Sequence, residues 1–564
     1  MGLMTHTLLP LQHERVDDIP FLFGVVQQMG LPELFERHLG THHLHQGIPN
    51  GLLAATWITF ILSESNHCKV DVQDWALQHQ HTLETLLQQP LRAVEFSDDR
   101  LSIILQRLHN ADWHALERDL WQSTCEVYQI PTEGFRLDST TSYGYHQTAD
   151  DGLLQFGPSK DHRPDLPQVK LMAAAAQPTA HTIACDIVPG NVADDVLYLP
   201  LIDRIRATVA CTGLLYMGDK KMAALEIRAN IVKGKDYYLT LLPRTGENAT
   251  LIDTWIEDAL SGTHAMTPFY KQDKKQQKVL FARGCEFVRS CEGRCAGERV
   301  VWDERVQLVR TEALFVHHGA QLERRLQEAM EHVRRLTPPV GRGQRQYRVE
   351  AELRQAVAET LAKHEVEGLL EVTWEREEYG KGLIRYQIRE ARRAEEKIAA
   401  RKERMGWRVQ VSNLEAGRCD LWQAIALYNG GWSIERDWHM VKDRPLGIQP
   451  LSVREEEQID GLTKLLLMAL RVLTYIEVVV RGGLAAAKEE LPGLYAGQPK
   501  RKTAHPTAVR LLRAIARMAI AVARVGTGEA ARWSLSSLPP LLDRLLELMN
   551  VPRTLYTALA PETG

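Results

Sequence analysis

Three short strand-like runs, followed by segments that alternate between strand and helix patterns, constrain the fold of this chain most. Three consecutive strands are predicted from runs rich in strand formers or apolar residues and bounded by Gly, Pro and polar turns: FRLDSTTSYGY, VKLMAAAAQ and HTIACDIVPG. After them, TGLLYMGD and DYYLTLL are typical of buried strands, and each follows a segment with helical spacing. Strands that first run together and then alternate with helices predict a mixed sheet of the α/β class.

The segments around this block predict helical flanks and an insertion. In residues 1–130 apolar positions recur at three and four, which predicts a helical N-terminal domain. Residues 246–405 mix strand-like runs with highly charged helices, and we interpret them as an insertion domain between residues 131–245 and 406–455. Residues 456–564 are predicted to be helical again, and one run near their start is apolar all round, as in a buried helix.

Charge and hydropathy limit the partners of the chain. The net charge is −4 and the pI about 6.6, so any contact with nucleic acid must come from local basic patches. The first residues lack a basic segment followed by an apolar one, and no apolar run is long enough to span a bilayer. Eight cysteines in 564 residues fit a reducing compartment. We therefore expect a cytoplasmic protein without a membrane partner.

Two carboxylates are predicted to meet at the sheet. Asp138 lies in the first predicted strand and Asp219 ends the fourth, TGLLYMGD. These strands can be neighbours, and an acid at the carboxyl end of a buried parallel strand lies where α/β sheets hold ligands. Two adjacent carboxylates repel each other, and a divalent cation would supply the counter-charge. The alternatives are that Asp138 is a turn acid at the strand edge and that Asp219 caps the following helix.

The stretch YNGGWSIERDWHMVKDRPLGIQP predicts a short helix with two different faces. Gly430 and Gly431 break the preceding helical run, and Pro445 ends the following one. At 100° per residue, the apolar stripe consists of Ile434, Trp438 and Val441. The polar stripe consists of Glu435, His439 and Lys442. Delivered across the sheet, Glu435 would be a third metal ligand, and the alternative is an ordinary surface acid.

Three carboxylates of this kind favour phosphodiester chemistry. Two metal ions held about 4 Å apart can activate a water or a 3′-hydroxyl and stabilise the leaving oxygen. Lys442 together with Lys160, His162 and Arg163 would form a positive rim beside the acids, as a phosphate substrate requires.

Five motifs resemble the DDE-type transposases of bacterial insertion sequences, in the branch with a Tyr-Arg-Glu-Lys signature. They are FRLDSTTSYGY, SKDHRPDLPQVK, DIVPGNVADD, LLYMGDKKMAALEIRANI and YNGGWSIERDWHMVKDRPLGIQPL, and the resemblance runs from about residue 14 to the C-terminal helices. Tyr428, Glu435 and Lys442 stand at the signature intervals. The arginine slot holds Gly431, and Arg436 or Arg444 could replace the missing side chain.

The resemblance implies a fold and a site. The fold is an RNase H-like α/β core with an insertion before the last acid, flanked by the helical regions. Asp138, Asp219 and Glu435 would bind two Mg²⁺ ions, with Mn²⁺ as a substitute. Tyr428 and Lys442 would hold phosphates of the transposon end. Trp432 would stack on a displaced base, although an aromatic after Gly-Gly equally suits a packing role.

The leading hypothesis is a transposase that cleaves at the ends of its element and joins the freed 3′-hydroxyl to target DNA. The N-terminal helices would recognise the end, and the C-terminal helices would support a homodimer or larger synaptic complex in the bacterial cytosol, at the nucleoid. Two alternatives stay open. One is a catalytically inactive relative that only binds DNA, which the glycine at the arginine slot favours, and the other is an RNase H-like nuclease that cuts without joining.

Overall fold

A computed structural model describes residues 11–128, 130, 132–272, 277–380, 382–525 and 532–561. The chain forms two compact units. The first comprises the described residues up to 237 and from 427 onward, and the second comprises residues 238–426. The second unit is therefore inserted in the sequence of the first, and the predicted insertion, residues 246–405, lies inside it. No helix within the described residues is both long and apolar enough to cross a membrane.

The first unit opens with a short strand and a series of helices. In the described residues up to 128 these are β1 (Leu11–Arg15), α1 (Ile19–Gln28), α2 (Leu31–Leu39), α3 (Asn50–Glu64), α4 (Lys69–Gln78), α5 (Gln80–Leu87), α6 (Asp98–Asn110) and α7 (Trp113–Tyr128). In α6, Asp98 and Asp99 occupy the first turn and Arg107 the last, a charge order that complements the helix dipole. The predicted helical flank is confirmed here, except for β1.

The central part of the first unit is a mixed sheet with helices packed on it. Its elements are β2 (Thr132–Tyr143), β3 (Gln168–Pro178), β4 (Thr182–Pro189), α8 (Tyr198–Val209), β5 (Leu215–Gly218) and α9 (Leu225–Lys233). The strand order is β4-β3-β2-β5, in which β2 pairs antiparallel with β3 and parallel with β5. This order and these directions are those of an RNase H-like sheet, and the predicted α/β class is confirmed.

The second unit contains further strands and its own charged helices. Its elements are β6 (Tyr237–Leu241), through which the chain enters it, α10 (Glu247–Ser261), β7 (Thr267–Gln272), β8 (Lys278–Cys295), β9 (Glu298–Thr311), α11 (Glu312–Arg335), α12 (Glu350–Lys363), β10 (Leu370–Tyr379), β11 (Leu383–Arg393), α13 (Glu395–Glu403), β12 (Trp407–Ser412) and α14 (Leu421–Asn429). Strands run in the order β6-β12-β9-β8-β7, and β10 and β11 form a separate hairpin. In α11, Leu322, Leu326 and Ala329 form one buried stripe, so its charged residues face solvent.

The chain returns to the first unit with a short helix followed by a very long one. The elements are α15 (Trp432–Lys442), α16 (Glu456–Ala487), α17 (Ala508–Ala516), β13 (Ala521–Val525), β14 (Arg532–Leu535), α18 (Pro540–Met549) and α19 (Thr554–Thr557). Helix α16 is buried through its middle, as its apolar sequence predicts. Its Arg471 is fully buried and pairs with the equally buried Glu117 of α7, so the unit's core contains a satisfied ion pair.

The C-terminal region is not helical throughout, which corrects the prediction. Residues 456–564 were expected to be helical, but within the run TAVRLLRAIARMAIAVARV α17 ends at Ala516 and Ala519 adopts a left-handed conformation with φ 54°. The following residues form β13, which pairs with β1 and β14. Alternation in IAVARV suits a strand as well as a helix. Its partner β1 lies some 500 residues earlier, where a local pattern cannot reveal it: Leu11 pairs with Val525.

Candidate active site

Asp138 in β2 comes close to Asp219, which directly follows the neighbouring parallel strand β5, as predicted. Phe135 and Arg136 of β2 pair with Tyr216 and Met217 of β5, which aligns the two acids along the same edge. The Tyr198 hydroxyl donates a hydrogen bond to Asp219 Oδ1 at 2.8 Å. Burial raises the pKa of Tyr198 well above its usual value, and the charges of Asp219 and Asp138 raise it further. The charges of both carboxylates therefore raise the pKa of the same tyrosine, Tyr198.

The environment of Asp138 balances opposing effects on its ionisation. Burial raises the pKa of Asp138, and the nearby Asp219 charge adds to this rise. Lys160 Nζ lies 3.7 Å from Asp138 Oδ1, and the Trp438 indole N–H donates to Asp138 Oδ2 at 3.0 Å. Both contacts favour the charged carboxylate and lower its pKa. Asp138 is therefore a carboxylate whose burial disfavours its charge, and Lys160 and Trp438 offset part of that effect.

Asp219 is exposed and stabilises a turn. Besides the Tyr198 hydroxyl, its Oδ1 accepts the Lys221 backbone N–H at 2.8 Å. Helix α9 begins only at Leu225, with Ala224 at its N-cap position. Asp219 is therefore not the cap of that helix, which removes one alternative reading of this residue.

Helix α15 is fastened to the sheet through its apolar face. Ile434, Trp438 and Val441 are buried, as their predicted stripe requires, whereas Glu435 is exposed. Trp438 contacts Asp138 directly. Residues three apart on a helix have Cβ atoms about 5–6 Å apart. Glu435 precedes Trp438 by three residues, so its side chain starts close to the indole that contacts Asp138.

The three acids are not gathered into one ligand set. Within the described part of the chain, no group of three or more His, Cys, Asp or Glu side chains is arranged to hold a metal ion. The charges of Asp138 and Glu435 both raise the pKa of the Arg136 guanidinium, so this cation lies near both acids, although burial lowers its pKa more strongly. Carboxylate oxygens are suitable ligands for Mg²⁺. A three-acid site would require the exposed Glu435 side chain to rotate toward Asp138.

Arg136 explains the glycine in the arginine slot. Its Nη2 donates to the carbonyl oxygens of Leu427 at 2.7 Å and of Tyr428 at 3.0 Å, and its guanidinium lies 5.5 Å from the centre of the Tyr428 ring. A Cβ atom at Gly431 would lie only 3.0 Å from Arg136 Nη1. A side chain at position 431 would therefore crowd Arg136, which is almost fully buried.

The two arginines considered as replacements differ in availability. Arg436 donates to Asp437 and Glu477, at 2.9 Å in each case, so it is held by buried acids. The pKa of Asp437 is raised to about 7 because it is buried, although Arg436 lowers it. Arg444 is exposed. Trp432 is 60% exposed, with the Arg436 guanidinium 5.8 Å from its ring centre, so Trp432 is not a core residue.

Lys442 is held by an ion pair. Its Nζ lies 2.6 Å from Asp161 Oδ1, and Gln449 donates to the other carboxylate oxygen of Asp161 at 2.8 Å. Only 12% of the Lys442 side chain is exposed. To contact a phosphate, Lys442 must leave Asp161.

The loop SKDHR contributes to the site unevenly. Lys160 Nζ donates to the Ser139 carbonyl and, at 2.8 Å, to the Ser139 hydroxyl, so this lysine lies beside the acids. His162 is exposed, with a left-handed φ of 57°. Arg163 pairs with Asp165 at 2.7 Å and lies over the Tyr143 ring.

Sequence reasoning missed the contacts of Arg136, Tyr198 and Asp161. A signal existed for Arg136, because residues two apart on a strand share a face and Arg136 precedes Asp138 by two. No local pattern marked the other two. Their roles arise from side chains that meet across separate elements, Tyr198 from α8 with Asp219 after β5, and Asp161 from a loop with Lys442.

The fold and site define an α/β protein with RNase H-like strand order and two carboxylates, one in β2 and one directly after the adjacent strand β5. No protein-family model matches the sequence, and no curated protein matches it. Among solved structures, one that the chain is similar to is the cryo-EM structure of a piggyBac transposase synaptic complex with hairpin DNA. The identity is 9%, the TM-score is 0.34, and the match covers 89% of this chain and 80% of that chain. A TM-score this low does not establish a common fold, so the strand order itself defines the class.

Proposed function

We propose that the chain is a DDE-type transposase, which cleaves a phosphodiester at the ends of its element and transfers the 3′-hydroxyl into target DNA. The observation that carries the proposal is the proximity of Asp138, in β2, to Asp219, which directly follows the adjacent parallel strand β5, with α15 hydrogen-bonded to Asp138 through Trp438. Asp138 is a half-buried acid with a raised pKa beside a lysine and an indole N–H, which is a setting typical of functional carboxylates. The motif resemblance to bacterial insertion-sequence transposases gives the reaction class.

Each acid has a role in this proposal. Asp138, Asp219 and Glu435 would hold two Mg²⁺ ions, with Mn²⁺ as a substitute, and these ions supply Lewis-acid activation of the attacking oxygen and of the phosphate. Glu435 would join the other two by rotation of its exposed side chain. Lys160, whose Nζ lies 3.7 Å from Asp138 Oδ1, favours the charged form of this carboxyl.

The surrounding residues would hold and orient DNA. Lys442, Tyr428, Arg163 and the exposed His162 are suited to phosphates, and the exposed Trp432 is suited to stacking on a base. We assign Arg136 a positioning role in place of the signature arginine, because it ties β2 to the backbone just before α15. The N-terminal helices would read the element end, and a homodimer or larger assembly would pair two ends.

The test is Mg²⁺-dependent cleavage of a labelled duplex that carries the DNA flanking the coding region. We expect D138N and E435Q to lose cleavage by at least about a hundredfold, since a catalytic carboxylate is removed in each. The matched control is E133Q, which removes an exposed carboxylate from the same strand as Asp138. Full activity of D138N or E435Q would refute the site.

Two further outcomes separate the alternatives. End binding in EDTA without nicking in Mg²⁺ or Mn²⁺ would identify a catalytically inactive DNA-binding relative. Cleavage without joined products in a strand-transfer assay would identify a nuclease. Joined products that depend on Asp138 would support the transposase.

A further inference from the structure

A basic surface lies in the C-terminal part of the first unit, on residues that are not assigned to the site. Residues 491–525 contain seven Lys or Arg residues and no Asp or Glu, although acids make up 72 of the 564 residues of the chain. Six of the seven are exposed: Lys500, Arg501, Lys502, Arg510, Arg513 and Arg517. We call these six residues the basic surface. In the part of the chain that the structure describes, none of them forms an ion pair with a carboxylate.

The basic surface is ordered by its own scaffold. Leu491 and Thr503 exchange two backbone hydrogen bonds, 2.9 and 3.2 Å long, which close the loop that carries the first three basic residues. Leu491 and Leu494 are buried and anchor this loop. Two guanidiniums lie close to the Tyr495 ring, with Arg501 at 3.9 Å and Arg510 at 4.3 Å from its centre. Cation–π contacts therefore hold two positive charges beside each other.

Helix α17 adds a row of positive charge. Its apolar residues Leu511, Leu512 and Ile515 are buried, and Arg510, Arg513 and Arg517 are exposed at spacings of three and four. Like charges at these spacings repel each other and destabilise a helix by a few tenths of a kcal/mol per pair. An anion that bridges the row would remove this repulsion.

We propose that the basic surface binds the phosphate backbone of duplex DNA, as a second DNA contact separate from the acids. Regularly repeated phosphates match a row of arginines beside a lysine-rich loop. The proposal rests on the proposed function only for the choice of DNA among polyanions. It assigns DNA binding to a region otherwise expected to serve in oligomerisation.

The experiment measures binding of a fluorescein-labelled duplex of arbitrary sequence in EDTA, between about 50 and 200 mM salt. The variant is K500A/K502A/R513A, whose three side chains make no hydrogen bond or ion pair with any described residue. The matched control is R324A/R335A/R354A, which removes the same charge from exposed arginines that pair with glutamates on their own helices. The glutamine variant K500Q/K502Q/R513Q repeats the test if the alanine variant fails to fold.

We expect the slope of log affinity against log salt to decrease by up to about 3, and affinity at the lower salt to fall at least about tenfold, because each phosphate contact releases about 0.9 of a counterion. The control should retain its slope and affinity. An unchanged slope in the basic-surface variant, or an equal loss in the control, would overturn the proposal. Tighter binding of duplex RNA or polyglutamate through the same residues would also overturn it.

The assay distinguishes this proposal from the proposed function. Binding is measured without metal, so loss of cleavage in D138N leaves it unaffected. Conversely, if the basic-surface variant binds DNA as the wild type does and cleavage is intact, only the second DNA contact is refuted.

Discussion

Replacing Trp438 with phenylalanine tests whether α15 positions the acid on β2. Trp438 is buried, and its only polar atom donates to Asp138 Oδ2 at 3.0 Å. Phenylalanine keeps a buried aromatic ring but removes the N–H. The change therefore takes away a donor that favours the charged form of Asp138, while most of the packing between helix and sheet stays.

The expected loss of folding free energy in W438F follows from the charge and the exposure of Asp138. A hydrogen bond to a charged group contributes about 1.5–3 kcal/mol, and water can partly replace the donor at Asp138, whose side chain is 27% exposed. We expect a loss near the lower end, about 1.5 kcal/mol, when Asp138 is ionised. When Asp138 is protonated, this part of the loss should vanish.

The sign of the pH dependence is defined. The folded-state pKa of Asp138 lies above its unfolded value, because burial outweighs Lys160 and Trp438. Ionisation of Asp138 therefore costs folding free energy as pH rises. W438F raises the folded pKa further, so its free energy of unfolding should fall more steeply with pH than that of the wild type.

The assay is urea unfolding of the wild type and W438F between about pH 4 and pH 8. The matched control is W75F, because Trp75 is similarly buried and its indole nitrogen has no hydrogen-bond partner. W75F should lose stability equally at all pH values. If W438F also shows a pH-independent loss, the indole does not stabilise the Asp138 charge, and the positioning role is wrong.

Two more predictions concern single acids. D161N should release Lys442 from its 2.6 Å ion pair, so that Lys442 can contact one DNA phosphate. We expect the affinity for end DNA at low salt, measured by fluorescence anisotropy, to rise by up to about tenfold. Weaker binding, or a gain that persists in D161N/K442A, would contradict this prediction. Burial raises the pKa of Asp18 to about 7, so ionisation of Asp18 destabilises the folded wild type as pH rises. D18N lacks this charge and should gain on the order of 3 kcal/mol in the free energy of unfolding relative to the wild type between about pH 5 and 8, measured by urea unfolding. A pH-independent difference would contradict this prediction.

The sequence by itself determined the sheet and the approach of two acids. Periodicity and turn residues predicted the strands around Asp138 and Asp219, and the strands they lie on are adjacent because parallel pairing of β2 and β5 buries both. The apolar stripe of Ile434, Trp438 and Val441 predicted which face of α15 is buried. These features depend on spacing along the chain, which a sequence displays directly.

Only the tertiary structure decided which partners the charged groups have. Arg136 lies where a side chain at Gly431 would stand, Asp161 holds Lys442, and β13 finds β1 from the other end of the chain. The signature motif marked Gly431 as a departure but could not reveal what occupies its space. A long charged side chain can pair with any of several nearby opposite charges, and a strand edge can pair with any of several strands. These pairings therefore follow from three-dimensional packing and not from the local sequence pattern.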